Sequence, residues 1–199
     1  MRNSLTRNLL ANALKSMCMQ RKLESITVQE LADQCNINRG TFYYHFCDKE
    51  ELICWIFHQD ITLPVRKIID GPTSNWDAIS PLYLGEMERA KAFYLQAFKI
   101  RGQNDLISYM LKETQENLRM CAELTIKDYK EQGLLKEVDT QRINFVINYH
   151  SKGSMAVIAD WVEEGMTIPA KELAVYFDLM FSACIGKALE VALNLNLPA

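Results

Sequence analysis

The stretch 37–52, INRGTFYYHFCDKEEL, crowds an arginine, a threonine, four aromatic rings and a histidine into a few positions near the N-terminus. Arg39 can present two parallel N–H donors to a guanine edge. Thr41 can bond a base or touch a thymine methyl, and Gly40 between them removes bulk so that backbone can approach. Tyr43 and His45 carry donors suited to phosphate oxygens, while Phe42 and Phe46 are placed to point inward. Lys49 opens the next helical pattern, where its charge adds to the positive end of a helix, and Thr27 offers a similar contact at an earlier helix start. These are the chemistries of duplex DNA recognition. Acyl or phosphoryl transfer would need other residues: the chain holds no nucleophile–base pair, phosphate-cradling glycine loop or metal-ligand spacing, so no enzyme, cofactor or metal is expected.

Recognition of this kind requires short helices held at fixed angles. Residues 4–20 read as a helix with Leu5, Leu9, Ala13 and Met17 recurring at helical spacing, supported by Leu10 and Leu14. Thr27 with Glu30 three residues later forms a capping box ahead of Val28, Leu31 and Ala32. The turn CNIN follows, and Asn38 can cap a helix from Arg39 to about Phe46. Asp48 can cap another, with Glu50 and Glu51 in its first turn, where the helix dipole favours negative charge. Ile37 tucks the turn inward and small Ala32 lets two helices approach. The pattern predicts a helix-turn-helix over 27–46.

The rest of the 199 residues bounds the architecture. Apolar residues make up 49% and charged residues 24%, as in ordinary folded proteins, and only 13 residues are Gly or Pro, so long helices are favoured over a sandwich or barrel. Six scattered cysteines form no C-x-x-C, no run of 18 apolar residues occurs, and the N-terminus lacks a signal-peptide core. A reduced, cytoplasmic protein with no membrane contact is expected. Net charge is −3, but residues 1–50 carry seven Lys/Arg against five Asp/Glu and residues 51–199 carry 15 against 20. A slightly basic head on an acidic body suits a DNA-binding module with a separate sensing part.

The continuous stretch ITVQELADQCNINRGTFYYHFCDKEELI resembles the N-terminal signature of the TetR family of transcriptional regulators, in its apolar-x-x-Ala pattern, its Tyr-x-His-Phe ending and its Lys-Glu-Glu-Leu helix start. Cys47 departs from that pattern, where a polar or small residue is expected. The resemblance implies an all-α homodimer, with a three-helix DNA-binding domain over 1–47 and a larger helical ligand-binding and dimerisation domain over 48–199. It also implies DNA contacts by Thr27, Arg39, Gly40, Thr41, Tyr43, Tyr44, His45 and Lys49. The segment GSMAVIADWVEEGMTIPAKELA is similar to the branch that includes regulators of dihydroxyacetone kinase operons.

Periodicity in the body agrees with these expectations. After a kink or break at Pro64 and a loop at 71–77, helical segments are predicted near 78–100, 104–131, 140–164 and 170–195. Phe145, Tyr149, Gly153, Ala156 and Val157 form one stripe; Tyr176, Phe177, Met180, Phe181, Cys184 and Ile185 form another. Two such helices from each of two chains would make a four-helix dimer interface, matching a palindromic operator. Trp55, Tyr94, Phe98, Tyr109 and Met110 are candidates to line an effector pocket, while His58 and His150 read as packed histidines rather than ligands. The function expected is a ligand-responsive repressor. The alternatives are a regulator acting through a protein partner or as an activator, and a thiol switch through Cys47 or Cys54.

Overall fold

A computed structural model describes residues 2–71, 76–102, 105–133, 135 and 138–181. Ten α-helices and no strand occur among them, so the fold is all-α. The first three, α1 (Arg2–Cys18), α2 (Val28–Gln34) and α3 (Arg39–His45), make the head, and α4 (Lys49–Phe57) leads out of it. Then follow α5 (Leu63–Ile69), α6 (Ile79–Arg89), α7 (Lys91–Ala97), α8 (Leu106–Glu131), α9 (Thr140–Glu163) and α10 (Ala170–Met180).

Helix α1 runs as expected, but its buried face is not the expected one. Leu10, Ala11, Leu14 and Cys18 are buried, whereas Leu5 and Leu9 are exposed. Apolar residues occur on both faces of this segment, so spacing alone could not set its phase. The core is one cluster that passes without a break from Leu14 and Phe42 in the head to Phe57, Met110 and Trp161 in the body. A second, smaller cluster of Leu118, Ala122, Leu135, Ile143 and Ile147 joins the far end of α8 to the start of α9.

Pro64 has the effect expected of a proline, displaced towards the N-terminus. Residues His58–Thr62 form a π-type turn in which the N–H of Leu63 reaches the carbonyl of His58. Proline lacks the N–H that would continue the four-residue ladder onto Asp60, and the wider turn absorbs that loss. The segment predicted as a single helix near 78–100 is instead divided at Ala90 (φ −104, ψ 33) into α6 and α7. Asp105 and Asp139 cap α8 and α9 by accepting from Ser108 N and Arg142 N. Helix α10 has no side-chain cap of its own; Glu88 of α6 accepts from Ala170 N at 2.9 Å. The loop before it is closed by Trp161, whose indole N–H donates to the carbonyl of Ile168 at 2.8 Å. Residues 182–195 of the predicted last helix, with Cys184 and Ile185, lie outside the described residues.

Candidate nucleic-acid interface

The recognition helix is set by its caps. The Asn38 side chain accepts from both the N–H and the hydroxyl of Thr41, at 2.7 and 3.0 Å. A Cβ on Gly40 would come within 3.2 Å of that same Asn38 oxygen, so the glycine keeps room for the cap. One helix earlier, Thr27 and Glu30 close the capping box: Thr27 Oγ1 accepts from Glu30 N, and Glu30 accepts from Thr27 N at 2.8 Å. Between the two helices, Asn36 takes a positive φ of 53°, which asparagine tolerates better than most residues.

Arg21 donates to Glu30 at 2.8 Å. That bond first, and those from Thr27 second, hold the Glu30 carboxyl down to about 2 from its ordinary 4.5. A carboxyl lowered on folding favours the folded head above pH 4.5, and this contribution fades as pH falls from 4.5 through about 2. An NMR titration of the folded protein should therefore place the Glu30 midpoint well below those of its exposed acids. A midpoint near 4.5 would refute the capping geometry.

Helix α3 divides its rings between two sides. Phe42 is fully buried and meets Tyr43 and Phe46 edge-on or tilted, at 5.5 and 5.9 Å. On the outer side Arg39, Gly40, Tyr43 and Tyr44 are exposed, Tyr44 by 76%. The Arg39 guanidinium lies 5.4 Å from the Tyr43 ring centroid and donates to the Tyr43 hydroxyl at 3.2 Å, so the two side chains hold each other upright.

Two expected contacts are changed by their surroundings. His45 is only 7% exposed, its Nδ1 is sealed without a partner, and burial, with Arg7 second, keeps its ring below the ordinary pKa. His45 is thus packed into the wall of the head, with its Nδ1 turned away from solvent. The Lys49 ammonium turns inward and donates to the carbonyls of Leu23 (3.1 Å) and Ile26 (2.5 Å), tying α4 to the turn before α2. Its charge is spent on those carbonyls rather than held out as a clamp. Neither change was legible in sequence, because the carbonyls that capture Lys49 lie 23 and 26 positions earlier.

A helix-turn-helix with an exposed Arg-Tyr-Tyr ridge thus leads directly into a helical body. A family model described as "Bacterial regulatory proteins, tetR family" matches residues 12–53, and one described as "Transcriptional regulator C-terminal region" matches residues 74–183. The chain belongs to the TetR family of transcriptional regulators. A curated relative is the HTH-type dhaKLM operon transcriptional activator DhaS of Lactococcus lactis, 28% identical over 96 residues. That match covers 48% of this chain and about half (50%) of the relative's own length. Among solved structures, the dihydroxyacetone kinase operon activator DhaS superposes with a TM-score of 0.63 at 19% identity, covering 95% of this chain and 96% of the other. NalD of Pseudomonas aeruginosa, a secondary repressor of the MexAB-OprM efflux pump, gives 0.56 at 12% identity, covering 97% and 98%. FadR of Thermus thermophilus, a repressor in complex with lauroyl-CoA, gives 0.55 at 17%, covering 97% and 96%. These structural likenesses are of the TetR-type fold.

Three staples join the head of this TetR-family chain to its body. Lys15 of α1 pairs with Asp60 of the π-type turn at 2.7 Å. Gln96 of α7 accepts from Leu23 N at 2.5 Å and donates to the carbonyl of Cys18 at 2.8 Å. The Phe46 ring meets Trp55 at 5.8 Å, which puts Trp55 at the seam rather than in a pocket. Of the other pocket candidates, Tyr94, Phe98 and Met110 are buried core, whereas Tyr109 lines a groove of about 530 Å³ beside α4 and α8. Tyr109 Oη lies 3.0 Å from His58 Nδ1, and Glu113, itself buried, accepts from Arg66 at 3.1 Å beside them. His58 is thus a packed, hydrogen-bonded histidine.

The apolar stripes also divide. Phe145, Tyr149, Gly153 and Val157 on α9, and Val175, Tyr176 and Met180 on α10, are exposed; Phe145 and Tyr149 are stacked at 6.2 Å. Phe177 and Phe181, expected on the same face, are half-buried and pack inward against the two core clusters. No helix among the described residues is long and apolar enough to cross a membrane.

Proposed function

We propose that this TetR-family regulator is a ligand-responsive repressor that binds a palindromic operator as a homodimer. Residues 1–47 form its reading head and residues 48–199 its sensing and dimerising body. The observation that carries the reading is the ridge of α3: Arg39, Tyr43 and Tyr44 stand exposed on one short helix whose opposite face is anchored by Phe42. Arg39 reads a base edge, Gly40 admits the groove wall, and Tyr43 and Tyr44 meet phosphates. Thr27, Thr41 and Lys49 act through the helix starts they occupy, with Lys49 contributing its backbone N–H rather than its ammonium. The exposed apolar stripes of α9 and α10 pair with those of a second copy, spacing two heads for the two half-sites.

Selection of bound duplexes from a random pool should return an inverted repeat. On that sequence Arg39→Ala should weaken binding by about 1–3 kcal/mol and relax preference at one position per half-site. Unchanged preference of the variant at every position of each half-site would defeat the Arg39 assignment, and wild-type protein without sequence preference would end the reading.

An activator is the second reading, favoured by the Lactococcus lactis relative, whose name states activation. Transcription in vitro from a promoter carrying the selected repeat separates the two, since repression lowers and activation raises transcript yield. A thiol switch has less support. The Glu51 carboxylate holds the Cys47 thiol above its ordinary value, and burial, aided by Asp105 and other carboxylates, pushes Cys54 up to about 12. Neither is a ready thiolate.

A further inference from the structure

Helix α3 has seven residues, so the angle at which it presents Arg39 depends on what holds each end. Asn38 fixes the start. At the exit, Phe46 swings to extended backbone (φ −144, ψ 137), and no further turn of α3 follows to supply an N–H to the carbonyl of His45. That carbonyl accepts instead from Arg7 Nη2 of α1 at 3.5 Å, across 38 positions of chain. The same guanidinium lies 5.5 Å from the centroid of the Phe46 ring. Phe46 in turn meets Phe42 at 5.9 Å and Trp55 at 5.8 Å. One side chain of α1 therefore grips the exit of α3 by its main chain and by the ring next to it.

Two further atoms in this corner point the same way. Arg7 Nε and His45 Nδ1 are both sealed from solvent without a partner. An arginine N–H can only donate, and the Nδ1 of an imidazole protonated on Nε2 accepts, so the two are complementary. Burial first and the Arg7 charge second hold the His45 ring below its ordinary value, which favours the accepting form. The positive charge also sits at the negative end of the α3 dipole.

We propose that Arg7 is a positioning residue for base reading: it locks the exit of α3 to α1 and so sets the pitch of Arg39. The proposal rests on the reading of α3 as the helix that enters the groove, and adds a residue outside the helix-turn-helix on which sequence preference depends. Phe42 fixes the depth of α3, but a helix held by one buried ring can still rock about it. Arg39 stands about 9 Å along the axis from His45, at about 1.5 Å per residue. A tilt of about 10° at the exit therefore carries Arg39 about 1.5 Å sideways. A two-donor contact to a guanine edge tolerates only about 0.5 Å. A direct phosphate contact is the competing role for an arginine, but Arg7 is half-buried and its charge faces the helix exit.

The test uses full-length Arg7→Met, which keeps the apolar stem, and Arg7→Lys, which keeps the charge. Amide exchange in the free protein reads the lock directly. In Arg7→Met the Phe46 N–H, which closes α3 onto the Phe42 carbonyl, should exchange about 5- to 20-fold faster, with the Leu31 N–H of α2 unchanged. Affinity for the selected duplex should fall about 10-fold, while random-duplex affinity and the salt slope stay as in the wild type. Arg7→Lys, with the charge but not the flat fork, should fall between, and it serves if the methionine variant does not fold. Equal losses on both duplexes, with a salt slope lower by about one, would make Arg7 a phosphate contact and overturn the proposal. Unchanged Phe46 exchange, or sequence preference kept in both variants, would overturn it alone. Wild-type protein without sequence preference would end the groove reading and this proposal with it.

Discussion

Replacing Phe145 and Tyr149 together by glutamate should split the proposed dimer and lower affinity for its proposed operator by about 10²–10⁴-fold. The two rings stack on each other and stand 70% and 68% exposed. The opposite side of α9 already buries Ile147, Met155, Ile158 and Trp161 in its own chain. A helix that is apolar on two faces can cover only one of them by folding, and the other is left for a partner. Four carboxylates brought together across a two-fold axis would repel and would have to be desolvated. Once the heads are uncoupled, the second half-site no longer gains from effective concentration, which is the source of the expected loss. Sedimentation velocity and fluorescence anisotropy with the selected operator check both parts. A stable dimer carrying all four glutamates would show that the proposed face is wrong.

Phe42→Ala is the second large effect, and it acts without touching DNA. The ring is wholly buried on the inner side of α3, within reach of Tyr43 and Phe46. Truncating a buried phenylalanine costs about 3–5 kcal/mol, against total stabilities of about 5–15 kcal/mol for single domains. Chemical denaturation should show that loss, and operator binding should fall with it because the Arg39–Tyr43 ridge loses its footing. The neighbouring Tyr44→Ala makes the contrast: with the side chain largely in solvent, its stability should stay within about 0.5 kcal/mol of the wild type. If both variants unfold alike, the division of rings on α3 is mistaken.

The head was legible where its information is local. A capping box, an Asn cap and an Asp cap each involve residues three positions apart, and all three occur where the spacing predicted them. The phase of α1 was not legible, because Leu5 and Leu9 compete with Leu10 and Leu14 and only the packed neighbours choose between them. The same limit applies to the pocket candidates. Tyr94, Phe98 and Met110 are large and apolar, which suits a core as well as a cavity wall, and they went to the core.

By itself the sequence determined the all-helical class, the helix-turn-helix with its caps, and the inward setting of Phe42 and Phe46. Each of these is written in spacings of a few residues, where backbone geometry alone converts order into direction. Only the tertiary structure decided that Lys49 serves two carbonyls of the head, that His45 is walled in, and that Phe177 and Phe181 turn inward to the core clusters. Those outcomes depend on which distant atoms arrive beside a side chain. A group's partners, burial and charge state are properties of that meeting, and no window of sequence contains it.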